Sequence, residues 1–124
     1  MSDFLVSPSR ETEWTISPDE FVERLRARWP EAEVEMADPD SLAALAFTIG
    51  FEGGHDVDGR LMSDGQVVGL DGGLEESAHV AAWVRDIVQP EQELVFWDQG
   101  YNFHVPLVTG ITPKEIVEAV EAAD

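Results

Sequence analysis

The chain has no cysteine, a single lysine and only six arginines. The missing thiols exclude disulfides, thiolate catalysis and thiolate metal sites. No stretch approaches the roughly eighteen consecutive apolar residues of a membrane span, and the first twenty residues lack the basic start and apolar run of a signal peptide. A soluble protein in the cytoplasm is therefore expected. Catalytic signatures are missing too: the glycines of Asp71-Gly72-Gly73 match neither phosphate-loop fingerprint, no GxSxG elbow occurs, and the three histidines show no HxH or HExxH spacing. No cofactor and no metal is expected, and the balance is toward a protein that is not an enzyme.

Positive charge is the scarcest property. Acidic residues number 26 against 7 basic ones, a formal net charge of −19 on 124 residues. The four arginines Arg10, Arg24, Arg26 and Arg28 lie in the first thirty residues, so the rest of the chain has only Arg60, Arg85 and Lys114 to offset its acids. Nucleic acid is bound mainly through Lys and Arg that displace counterions from phosphate, and no basic stripe exists for this. The same sign argument disfavours an anionic membrane surface. It favours a basic protein, a cationic ligand or a metal ion, or, with no partner at all, solubility or adaptation to high salt.

Size and composition fit one domain over residues 1–124, with 1–11 allowed to be flexible; 44% of residues are hydrophobic, enough for a core without staples. Ser17-Pro18-Asp19-Glu20 reads as a helix start, with a capping serine, proline in the first turn and a glutamate able to close the capping box. Phe21, Val22, Leu25 and Trp29 then recur at helical spacing until Pro30. Thr112-Pro113-Lys114-Glu115 repeats the grammar ahead of Ile116, Val117 and Val120. A third helix is expected over Leu74 to Val88, between Gly72-Gly73 and Pro90. The similarity of ISPDEFVERLRA and ITPKEIVEAVEA is read as shared capping chemistry, because the segments between show no repeating period.

Short alternating or apolar runs predict up to seven strands: Glu13 to Ile16, Glu33 to Met36, Ala43 to Ile49, Val57 to Met62, Gln66 to Leu70, Glu93 to Asp98 and Tyr101 to Val108. Asp64-Gly65 and Gln99-Gly100 are read as compact hairpin turns. The order β-α-β-β-β-β-α-β-β-α predicts an α+β fold of two layers, a mostly antiparallel sheet with three helices on one face.

The hairpin from Glu93 to Pro106 is the most informative surface. A two-residue loop at Gln99 and Gly100 would set Asp98 opposite Tyr101, Phe96 opposite Phe103 and Leu94 opposite Val105, sending these side chains toward the helices. The other face would carry Glu93, Val95, Trp97, Asn102 and His104, a mixture too polar for a core and too aromatic for an idle surface. Glu93, Trp97, Asn102 and His104 are the expected binding residues. The acidic, Gly-rich stretch Gly50 to Gly59 departs from a calcium loop in its spacing and in lacking flanking helices, so it is read as turns. His79, Trp83 and Asp86 are read as a packing motif, and Trp14 and Trp29 as core.

The overall profile, small, cysteine-free and acidic, is similar to that of bacterial immunity proteins and other small inhibitors of basic enzymes. The resemblance is one of composition and assigns no residues. It implies a non-enzymatic module for a basic partner. Two alternatives are a small-molecule-binding or acid/base hydrolytic domain using His104 with Asp98 or Glu93, and a homo-oligomerising or salt-adapted structural module.

Overall fold

A computed structural model describes residues 3–38, 40–100 and 102–122. Its elements are β1 (Phe4–Pro8), α1 (Pro18–Arg28), β2 (Glu33–Met36), β3 (Ala43–Ile49), β4 (Val57–Met62), β5 (Val68–Asp71), α2 (Leu74–Ile87), β6 (Leu94–Asp98), β7 (His104–Pro106) and α3 (Pro113–Ala122). The strands form one seven-stranded antiparallel sheet in the order β2-β3-β4-β5-β1-β6-β7. This is the α+β architecture expected from the sequence, with the three helices on one face.

Only half of the expected capping box forms at α1. Ser17 Oγ accepts from the Glu20 N–H at 3.2 Å, while the Glu20 carboxylate turns to Arg24 one turn on, also at 3.2 Å. At α3 the box closes in both directions: Glu115 N donates to Thr112 Oγ1, and Thr112 N donates to Glu115 Oε1, each at 3.1 Å.

One face of the sheet is apolar because alternate residues of every strand are apolar. Leu45, Phe47, Val57, Leu61, Val68, Leu70, Val6, Leu94, Phe96 and Val105 are all buried there. Phe21 of α1 meets Phe47 with ring centroids 5.5 Å apart, and Trp83 of α2 packs edge-on against both Phe21 and Trp29 at 5.4 Å. Trp83 thus belongs to the packing between helices, and Trp14 and Trp29 are partly buried against the core. Gly59 has a structural reason: a side chain there would run into the Phe47 ring.

The first strand departs from expectation. No strand forms over Glu13 to Ile16, where Ile16 N donates only to Gly65 O at 2.9 Å. The strand is Phe4–Pro8 instead, inside the segment allowed to be flexible, and it runs through the sheet between β5 and β6. Phe4 and Val6 point to the core and Leu5 and Ser7 to the other face. Both compact turns are also longer than expected. Met62 N donates to Val67 O, so Ser63 to Gln66 make a four-residue loop with Gly65 at φ 72°.

The β6–β7 hairpin is held at its base by Arg85, near the C-terminal end of α2. This side chain is only 3% exposed, and its guanidinium donates to four carbonyls: Gln92 O at 2.7 Å, Leu107 O at 3.3 Å, Val88 O at 3.2 Å and Gln89 O at 2.6 Å. A cation there satisfies the C-cap carbonyl of Val88 and carbonyls just beyond the end of α2, and it matches the helix dipole. Burial pulls the Arg85 pKa below the usual arginine value, with the charge of Asp86 acting in the opposite direction. One residue therefore ties the end of α2 to the entry of β6 and the exit of β7.

Candidate functional site

The sheet face away from the helices carries the candidate site. Within β6–β7 the partners are Val95 with Pro106, Phe96 with Val105 and Trp97 with His104, two residues out of the register expected for a tight turn. A two-residue displacement preserves side-chain parity, so Trp97 and His104 still face away from the helices while Phe96 and Val105 face the core. Leu107 N donates to Leu94 O at 2.9 Å, and the alternation of antiparallel ladders then makes Trp97–His104 a non-hydrogen-bonded pair, the type whose side chains approach most closely.

Asn102 leaves the expected group. Its N–H donates to Asp98 Oδ1 at 2.7 Å and its Nδ2 to Asp98 Oδ2 at 2.8 Å, so it closes the hairpin loop rather than standing on the sheet face with Trp97. Partial burial pushes the Asp98 carboxyl up. The hydrogen bonds from the Asn102 side chain and from the N–H groups of Asn102 and Phe103 outweigh this, and its pKa lies below the usual aspartate value. Tyr101, expected opposite Asp98, lies outside the described residues.

Glu93 is exposed just before β6. It accepts from Ser9 Oγ at 3.2 Å and pairs with Arg10 at 2.9 Å. Glu93 and His104 line one cleft of about 460 Å³ together with Ser9, Val95, Pro106 and Val108. The cleft runs around the open edge of the sheet, where Pro106 lacks an N–H and blunts strand addition.

β1 supplies what sequence reasoning missed. Leu5 is the partner of Trp97 on the opposite side from His104, and the indole Nε1 donates to Ser7 Oγ at 3.0 Å. The signal was available in Phe4-Leu5-Val6, three apolar residues of high strand propensity followed by Ser-Pro. The cross-strand row His104, Trp97, Leu5, Gly69, Arg60, Ala46 and Glu35 spans the whole sheet. Beside it runs an acidic row of Asp71, Asp58, Thr48 and Glu33. Asp58 and Asp71 are direct partners, an arrangement that repels. Thr48 Oγ1 donates to Asp58 at 2.7 Å and Asp3 N donates to Asp71 at 2.7 Å, which eases it. The face is thus aromatic and apolar at the β1–β6–β7 end and acidic at the other.

In the Gly50 to Gly59 stretch the carboxylates do not converge. Among the described residues no group of three or more His, Asp or Glu is placed to hold a metal ion. The stretch is instead tied to α2, where Glu76 accepts from His55 N at 3.2 Å. No helix among the described residues is long and apolar enough to cross a membrane.

Comparison with protein-family models, with curated proteins and with solved structures finds no match for this chain.

Proposed function

We propose that this chain is a non-enzymatic binding protein, of the immunity or inhibitor kind, that engages a basic protein in the cytoplasm through the sheet face around Trp97 and His104. The observation that carries the reading is the pairing of half-buried Trp97 with exposed His104, with half-buried Leu5 beside Trp97 on the same sheet face. Aromatic residues in such positions anchor protein interfaces, because a large rigid surface is buried at little entropic cost. The acids around them, Glu93 at one end and Asp58, Asp71, Glu33 and Glu35 at the other, supply a field that steers a basic partner and repels a second copy of this acidic chain.

Affinity capture from lysate at low salt, with wild-type protein and a Trp97→Ala/His104→Ala variant of confirmed fold, tests the reading. A partner of high isoelectric point that is retained by the wild type and lost by the variant is the expected result. Identical capture by both proteins would refute it.

A further inference from the structure

The opposite edge of the sheet offers a second surface, independent of Trp97. There, among the described residues, β2 pairs only with β3, and Ala37 N donates to Ala44 O at 3.0 Å in a register that matches Met36 with Leu45 and Glu33 with Thr48. Because antiparallel ladders alternate, Glu33, Glu35 and Ala37 turn their peptide groups to β3, while Val34 and Met36 turn their N–H and C=O groups outward. No hydrogen bond from the described residues reaches these outward groups.

The side chains alternate in step. Glu33 and Glu35 stand on the face away from the helices, and both are exposed. Val34 and Met36 stand on the helix side, at its margin, and Met36 is 56% exposed. Leu42, at the same end of the β2–β3 hairpin, is 80% exposed. An edge of this kind is a template for another strand.

Charge selects the occupant. A second copy of β2 would set carboxylates against carboxylates on one face, which repel when directly opposite. We infer that β2 accepts an extended segment of another protein in which basic and apolar residues alternate. Its basic side chains lie beside Glu33 and Glu35, its apolar ones beside Val34 and Met36, and its backbone pairs with the outward groups of Val34 and Met36.

The test uses amide hydrogen exchange by NMR on the full chain, titrated with the acetylated, amidated hexapeptide Lys-Val-Lys-Val-Lys-Val. A control peptide, Lys-Lys-Lys-Val-Val-Val, has the same charge without the alternation. The expected result is exchange at the Val34 and Met36 amides slowed roughly tenfold or more at saturation by the alternating peptide alone. A folded Glu33→Lys/Glu35→Lys variant should lose the effect. Equal slowing by the control peptide, retention of the effect in the variant, or unchanged exchange at these two amides up to the solubility limit would each overturn the inference. Trp97 is untouched throughout, so the result stands apart from the fate of the Trp97–His104 surface.

Discussion

The indole N–H of Trp97 donates to the hydroxyl of Ser7 across the β1–β6 ladder at 3.0 Å. A strand that carries no recognisable motif thereby fixes the orientation of the candidate anchor. Removing the acceptor with Ser7→Ala should cost about 1 kcal/mol, the net worth of a partly buried hydrogen bond. Trp97→Phe, which loses the donor together with part of the ring system, should cost at least as much. Urea unfolding of both variants checks this, and no loss for either would mean that water replaces the bond at no cost.

Arg85 should be the most sensitive charged residue in the chain. Arg85→Ala leaves four carbonyls without their donor, and roughly 3 kcal/mol or more should be lost. Arg85→Lys should rescue only part, because an ammonium is a point donor and cannot fork across four acceptors. Denaturant midpoints of the two variants test the order. Equal stability of Arg85→Lys and wild type would contradict the account.

The pH dependence of stability should have an identifiable source in Glu76. Its pKa lies below the usual glutamate value, chiefly because its own backbone N–H and then that of His55 bond its carboxylate; burial works against them, and the charges of His55 and His79 add to the lowering. A carboxylate whose pKa is lower in the folded state stabilises the fold above its unfolded pKa, which is about 4.3. That contribution is lost as pH falls through the lower, folded value. Glu76→Gln should therefore show a smaller fall in melting temperature between neutral and strongly acidic pH than the wild type. An unchanged fall would assign the acid sensitivity elsewhere.

Salt should act with opposite signs on stability and on binding. Screening relieves repulsion within a chain of net charge −19, so the melting temperature should rise with sodium chloride. Screening also weakens steering of a basic partner, so capture should fall. Thermal melts and capture over one salt series test both. A flat melting temperature would show that self-repulsion does not limit stability.

Much of the fold was legible because local chemistry agreed with the final structure. The strands Glu33–Met36, Ala43–Ile49 and Val57–Met62 are bounded in sequence by turn residues and need no distant partner to be recognised. β1 was missed although Phe4-Leu5-Val6 has strand propensity, because three adjacent apolar residues show no alternation and Phe4 pairs with Leu70 and Asp98, far along the chain. The hairpin register failed for a different reason. A two-residue loop of the common hairpin type needs a positive φ at its first residue, which Gln99 adopts poorly, while Asp98 offers two acceptor oxygens that Asn102 takes to close a longer loop. Trp97 and His104 keep the expected face because the displacement is even; Asn102 does not join them there, because it lies in the loop itself.

Fluorine NMR of the chain labelled with 5-fluorotryptophan addresses the recognition surface most directly, since the protein has four tryptophans and Trp97→Phe assigns the relevant signal. On addition of the basic protein recovered by capture, the Trp97 resonance should shift or broaden while those of Trp14, Trp29 and Trp83 hold still. A Trp97 signal that stays fixed in the complex would show that the partner binds elsewhere.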